Sequence, residues 1–173
     1  MPEVLTGNHA GLLDVQPAPD FEDTGTVYFA YVTGETDENT VRLVRAHLQA
    51  ARLVDQETIF TAAPAGGNID EFGGRIAFDG RGHIFLSLGD KFDKTRAQDL
   101  SQHWGKILRL TMEGSPPRDN PFVAVPGARP EIWSFGHRNP QGLAFHPATG
   151  DLWSHEHGAM GGDEINRIEP GRN

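Results

Sequence analysis

A chain of 173 residues is long enough for one sizeable core, and its 24 acidic residues against 15 basic ones leave a net charge of −9 with no basic run, which excludes a phosphate-backbone partner. The absence of cysteine excludes disulfides and thiolate metal sites. No apolar run approaches the roughly 20 residues of a spanning helix, and Met1-Pro2-Glu3 opens no basic-then-apolar leader, so the sequence reads as soluble and without an address.

Taken in chain order, the apolar alternations predict strands. His9 stands in a Gly-rich turn before Gly11-Leu12-Leu13-Asp14-Val15, and Val27 to Tyr31 and Val41 to Leu48 follow as the second and third runs. The pattern recurs from Gly74 to Phe78, with His83 to Leu88 and Ile107 to Leu110 after it. It recurs again from Gly142 to Phe145, followed by Asp151 to Trp153 and Glu164 to Ile168. The leading glycines, Gly11, Gly74 and Gly142, are nearly evenly spaced, and self-similarity at a fixed period signals a repeat architecture whose units of three or four strands are propeller blades. Residues 79–82 and 147–150 read as hairpin turns. Helix is expected only as a turn or two within Thr95 to Trp104. Two long connections, Asp90 to Trp104 and Glu113 to Pro130, are predicted to lie over one face, where loops of that length are often functional.

The polar side chains concentrate late in the chain. Gly136-His137-Arg138-Asn139-Pro140-Gln141-Gly142 places a guanidinium fork beside two amides, which together offer donors and acceptors for a carboxylate or a quinone oxygen. Glu156-His157-Gly158 and Asp163-Glu164-Ile165-Asn166 follow. His155 and His157 would share one face of a strand and suggest zinc, but spacing supplies no third ligand.

These strings, together with Gly105 to Leu110 and Asp119-Asn120-Pro121-Phe122, resemble the soluble glucose/sorbosone dehydrogenases, also called aldose sugar dehydrogenases. The resemblance runs from about Gly11 to Asn173. It implies an all-β fold, a six-bladed β-propeller of which this chain holds about three four-stranded antiparallel blades in one partial domain over residues 1–173, with units near 11–73, 74–141 and 142–173. Three blades cannot close a ring, so a truncated chain is expected, or else pairing of two half-rings through their open edges.

The resemblance also implies pyrroloquinoline quinone (PQQ) and calcium as cofactors, an aldose as substrate and an electron acceptor as partner. Relatives are commonly exported, which implies the periplasm or the exterior; a cytoplasmic location stays open. His9, Asp70, Arg138, Asn139 and Gln141 fall at cofactor-facing positions, with Arg138 set to stabilise charge developing on the reduced quinone. The backbone carbonyls of Gly158 and Ala159, with Glu164 as a further carboxylate, would hold the calcium. His137 is expected to pack on Trp133. Glu71 stands where the family carries its histidine base, and with Asp70 and Arg138 it makes up the catalytic set that the resemblance implies. A carboxylate, with an ordinary pKa near 4.3 against about 6.5 for imidazole, is the weaker acceptor at neutral pH, so slow turnover is expected. A non-catalytic sugar- or protein-binding propeller is the alternative, and a calcium-dependent lactone hydrolase is disfavoured by the HRNPQG string. Because each residue lies in a loop entering an inner strand, His9, Asp70, Arg138 and Asn139 are predicted to meet on one face.

Overall fold

The computed structural model describes residues 2–173. Eleven strands form three antiparallel sheets, each built from strands consecutive in the chain. The first holds β1 (Leu12–Pro17), β2 (Thr26–Gly34), β3 (Asn39–Gln49) and β4 (Arg52–Thr61). The second holds β5 (Gly73–Phe78), β6 (His83–Leu88), β7 (Lys106–Thr111) and β8 (Ile132–Phe135). The third holds β9 (Pro140–Phe145), β10 (Leu152–Glu156) and β11 (Glu164–Ile168), one strand fewer than the four expected. Two one-turn helices complete the elements, α1 (Phe21–Thr24), which no sequence signal announced, and α2 (Lys94–Gln98).

The helix expected within Thr95 to Trp104 is thus shorter and starts one residue earlier. Asp93 caps it, accepting the Thr95 N–H at 3.1 Å, and the backbone turns extended at Asp99, whose carboxylate accepts the Ser101 N–H instead. β4 and β8 also escaped the sequence reading. β4 is an outer edge strand that stays largely exposed, so the alternation that marks a half-buried strand is blurred, and β8 is only four residues long.

Side-chain alternation explains how the sheets stack. On β2, Tyr28, Ala30 and Val32 face a core shared with Ile84, Leu86 and Leu88 of β6 and Leu108 of β7, while Val27, Phe29 and Tyr31 face the other side of the sheet. Phe85 and Ile107, on the opposite face of the second sheet, join Leu152 and Ile168 of the third. The second sheet is therefore buried on both faces. The innermost strands β1, β5 and β9 lie side by side, which gathers the loops entering them at one place. The long loop between β7 and β8 is pinned by Asn120, whose amide donates to the carbonyls of Arg109 and Pro130 at 2.9 Å each, and by Asp119 on Arg109 at 3.1 Å.

Candidate functional site

Two of those loops, the ones before β5 and β9, interlock with the end of β6. Gly89 N–H donates to the Phe72 carbonyl at 3.1 Å, and Asp90 N–H donates to the Arg138 carbonyl at 2.7 Å, so the β6 terminus holds the loop before β5 and the loop before β9 together. Only glycine serves at position 89, because a Cβ there would stand 1.9 Å from the Glu71 carbonyl oxygen. Glu71 itself has φ near +53° and is almost fully buried. Its Oε1 lies 2.5 Å from Nη2 of Arg138.

Arg138 is fixed from several sides. Its N–H donates to Glu156 Oε2 at 2.6 Å, its Nη1 donates to the His157 carbonyl at 3.1 Å, and its guanidinium lies 5.6 Å from the Phe92 ring. Glu156 closes a second circuit. Its Oε1 meets His137 Nδ1 at 3.0 Å and accepts from Asn166 at 3.2 Å, while His137 Nε2 lies 2.7 Å from Ser134 Oγ. His137 is thus a buried link between Ser134 and Glu156 rather than a partner of Trp133, which packs on Phe85 and under Arg109. The Ser134–His137–Glu156 line has the order of a hydrolytic triad. It lacks an oxyanion hole in its own loop, because the N–H groups of Phe135, Gly136, His137 and Arg138 already donate to Arg172, Ala97, Gly105 and Glu156.

Burial works against ionisation of Glu156, but the hydrogen bond and charge of His137, the Arg138 N–H and Asn166 outweigh it and hold its carboxyl below the ordinary 4.5. A lowered folded-state pKa gives stability that is present above the unfolded value and is lost as pH falls through the folded one. Urea midpoints are therefore expected to fall as pH drops below about 4.5, and Glu156→Gln should be less stable at pH 6 with a shallower acid loss. An acid profile identical in the two proteins would remove Glu156 from this role.

The remaining predicted residues surround the same point. His9 Nδ1 lies 3.3 Å from the Glu71 N–H and 3.4 Å from Asp70 Oδ1, and Asn8 reaches Asp70 at 3.4 Å. Asn139 is buried and accepts from the Gln141 amide at 2.8 Å; Gln141 in turn accepts from Arg75 at 3.2 Å, and Arg75 donates to the Leu13 carbonyl at 2.6 Å. His9, Glu71, Arg75, Asn139, Gln141 and His157 line a cavity of about 320 Å3. On the other side of the Glu71–Arg138 pair a wider cleft of about 1010 Å3 opens between Asp90, Phe92, Thr95, Gln98, Arg138 and Ala159.

Gly158, Ala159 and Glu164 share a smaller hollow with Arg138 and His157. A Cβ on Gly158 would stand 2.3 and 2.6 Å from the carbonyl oxygens of Gly161 and Gly162, so only glycine fits there. Glu164 is exposed and accepts from Asn166 at 2.9 Å; Asp163, beside it, accepts the Gly158 N–H at 3.0 Å. Among the described residues no group of three or more His, Cys, Asp or Glu could hold a metal ion, and the His155/His157 pair is no exception.

Asp90 was missed in the sequence, and Glu156 was named there only as part of a polar string, without a role. Asp90 opens the long loop already marked as functional, and Glu156 falls on the inward phase of β10 with Leu152 and Ser154, a carboxylate where an apolar residue is the norm. Burial, followed by the charge and hydrogen bond of Glu71, pushes Asp90 up to about 6, against the Phe92 N–H and Arg138. Its neighbour Lys91 turns away from the site. Its ammonium lies 4.5 Å from the Trp104 ring and 5.0 Å from Phe72, and burial pushes it down to about 7.

A family model described as glucose/sorbosone dehydrogenase matches residues 1–173, and the chain belongs to that family. It is 42% identical over 176 residues to the aldose sugar dehydrogenase YliI of Escherichia coli (strain K12), covering 100% of this chain and 47% of the relative. Among solved structures it is similar to the apo-form of the soluble aldose sugar dehydrogenase from Escherichia coli, with a TM-score of 0.95, 40% identity, and 99% of this chain and 50% of that one covered. It is also similar to the PQQ-bound form of the aldose sugar dehydrogenase from Streptomyces coelicolor, with a TM-score of 0.85, 34% identity, and 99% and 49% covered. The chain spans about half the length of the curated relatives it matches.

Proposed function

We propose that this chain is the cofactor-binding half of a PQQ-dependent aldose dehydrogenase, which oxidises the C1 hydroxyl of a sugar to a lactone. The observation that carries the reading is Arg138, oriented by Glu71 and Glu156 and bordering the wider cleft. PQQ is a flat polyanion with adjacent quinone oxygens, so it needs a donor-rich pocket. The donor set here suits it: Arg75, Asn139, Gln141 and His9 line one cavity, Arg138 borders the other, and Arg75 Nε is buried without a partner. When bound, PQQ supplies the two-electron acceptor for hydride from C1. The chain's own part is to hold and polarise it through Arg138 and Asn139, with Gln141, Asp70 and His9 bordering it, and to receive the hydroxyl proton on a carboxyl at the Glu71 corner in place of an imidazole.

The residues also fit a hard cation, with limits. Gly158 and Ala159 offer carbonyl oxygens in a tight loop with Glu164 nearby, but the chain would supply few ligands, so calcium would depend on oxygens of the bound cofactor. An aldose as substrate, a separate electron acceptor, self-association through open blade edges, and export to the periplasm or exterior belong to the same proposal. Among the described residues no helix is long and apolar enough to cross a membrane.

A second reading, a propeller that binds sugar without oxidising it, is favoured by the commitment of Glu71 to Arg138. Calorimetry with PQQ and calcium, followed by aldose oxidation with an artificial acceptor, separates the two. The expected result is PQQ binding that weakens at least tenfold in Arg138→Ala and Asn139→Ala, the loss of a charged and a neutral contact, with slow but measurable turnover. Failure to bind PQQ overturns the dehydrogenase reading, and binding without turnover selects the second.

A further inference from the structure

Arg75 lies on the inner strand of the second sheet and ties all three inner strands together. β5 breaks register with β6 between Gly73 and Ile76, and there the Arg75 N–H donates to Ser87 Oγ at 3.0 Å, while Ser87 Oγ in turn donates to the Pro140 carbonyl at 3.4 Å. The next N–H, of Ile76, donates to Asp14 Oδ2 at 2.9 Å. With the backbone held on both sides, the side chain spans from β1 to β9: Nη1 donates to the Leu13 carbonyl at 2.6 Å and Nη2 to Gln141 Oε1 at 3.2 Å. Neither of these partners carries a charge, and Nε is buried without a hydrogen-bond partner. Gln141 Nε2 donates onward to Asn139 Oδ1 at 2.8 Å, and Arg75, Gln141 and Asn139 all line the cavity of about 320 Å3.

A guanidinium offers only donors, whereas an amide offers an acceptor at one end and donors at the other. Arg75 therefore decides which way Gln141 faces. With its oxygen turned to Arg75, Gln141 can present only its NH2 group to Asn139, so Asn139 must turn its own oxygen toward Gln141. What is left for the cavity is the Asn139 NH2, which donates to no protein group among the described residues. We infer that Arg75 is a positioning residue: it sets the polarity of the Gln141–Asn139 relay, so that Asn139 meets a bound molecule as a donor and not as an acceptor. The opposite arrangement is disfavoured at each link. Flipping Gln141 sets its NH2 against the N–H groups of Arg75, and flipping Asn139 sets two NH2 groups face to face, each with the loss of a hydrogen bond in a half-buried corner. The ligand class selected is one that places an acceptor, such as a quinone or carboxylate oxygen, against Asn139. Identifying that acceptor as an oxygen of PQQ rests on the dehydrogenase reading; the relay itself does not.

The first measurement needs no ligand. In the free protein, side-chain amide exchange followed by NMR is expected to show the Gln141 Nε2 protons exchanging about tenfold more slowly than those of Asn139 Nδ2, the protection that a hydrogen bond confers, and the difference should vanish in Arg75→Met. Protection on Asn139 instead of Gln141, on both or on neither, or a difference indifferent to Arg75→Met, overturns the assignment. The second measurement is a double-mutant cycle on PQQ affinity by calorimetry. Arg75→Met and Asn139→Ala are each expected to weaken binding about tenfold, whereas adding Arg75→Met to Asn139→Ala should cost less than about threefold, because the side chain through which Arg75 acts is already gone. Losses that simply multiply would mean that Arg75 acts through its charge or its packing alone, and overturn the positioning role. Gln141→Leu cuts the relay with the guanidinium left in place, so it should show the same coupling to Asn139→Ala and decides the cycle if Arg75→Met does not fold. A wild-type protein that does not bind PQQ overturns the dehydrogenase reading, and exchange in the free protein then decides the relay by itself.

Discussion

Arg138→Ala is expected to destabilise the protein by about 3 kcal/mol in urea unfolding at neutral pH, the usual cost of removing one partner from a buried ion pair. The cost arises from the carboxyls that stay behind in the corner. Glu71 is 3% exposed, has one oxygen already without a partner, and sits beside Asp90. Without the guanidinium the corner would hold two carboxyls and no cation beside them, so one of them must take up a proton. About a quarter of the Arg138 side chain reaches solvent, which keeps the effect at the lower end of the range for buried pairs. Neutralising the partner should recover most of the loss: Glu71→Gln with Arg138→Ala is expected to be more stable than Arg138→Ala alone. Additive losses in that double-mutant cycle would mean that Glu71 and Arg138 do not interact energetically.

The same pair marks the boundary of what the sequence discloses. Arg138, Asn139 and Gln141 were legible because the HRNPQG string crowds fork-like and amide groups into one strand entrance, a local signal. The alternation on β2, β6 and β7 was legible for the same reason, since a strand buried on one or both faces writes its environment into every second residue. Glu71 and Asp90 were not legible as a unit. Glu71 was marked only through the resemblance and Asp90 reads as a loop carboxylate, and the pairing of β5 with β6, together with a glycine at position 89 that admits the Glu71 carbonyl, brings their loops together. Asp90 was passed over although it opens a long loop, because nothing local distinguishes a buried aspartate from a solvated one. The third sheet holds three strands, β9 to β11, where the repeat of the earlier units suggested four.

The support beneath the site is an indole. Trp104 is fully buried, its N–H donates to the Pro64 carbonyl at 2.8 Å, and its ring meets Phe72 edge-on with centroids 6.4 Å apart. Phe72 follows Glu71 in the chain, so the ring packing sets the height at which Glu71 meets Arg138. Lys91, next to Asp90, keeps its desolvated ammonium 4.5 Å from the same indole. One side chain thus braces both members of the carboxyl pair. Trp104→Ala is expected to cost about 4 kcal/mol through reduced burial and the cavity left behind, which for a domain of this size lowers the melting temperature by roughly 8 to 16 °C. Trp104→Phe keeps an aromatic face for Lys91 and Phe72 and gives up the Pro64 hydrogen bond, so it should cost less than half as much. The expected consequence for the site is that Trp104→Ala, at a temperature where it is still folded, weakens PQQ binding although Trp104 lines neither cavity. Thermal unfolding by circular dichroism and calorimetric titration with PQQ check the two parts. A loss below about 1 kcal/mol, the scale of an exposed substitution, would show that Trp104 does not brace the loops, and an undisturbed PQQ affinity in a clearly destabilised Trp104→Ala would show that the Glu71–Arg138 corner is held from β6 and β10 alone.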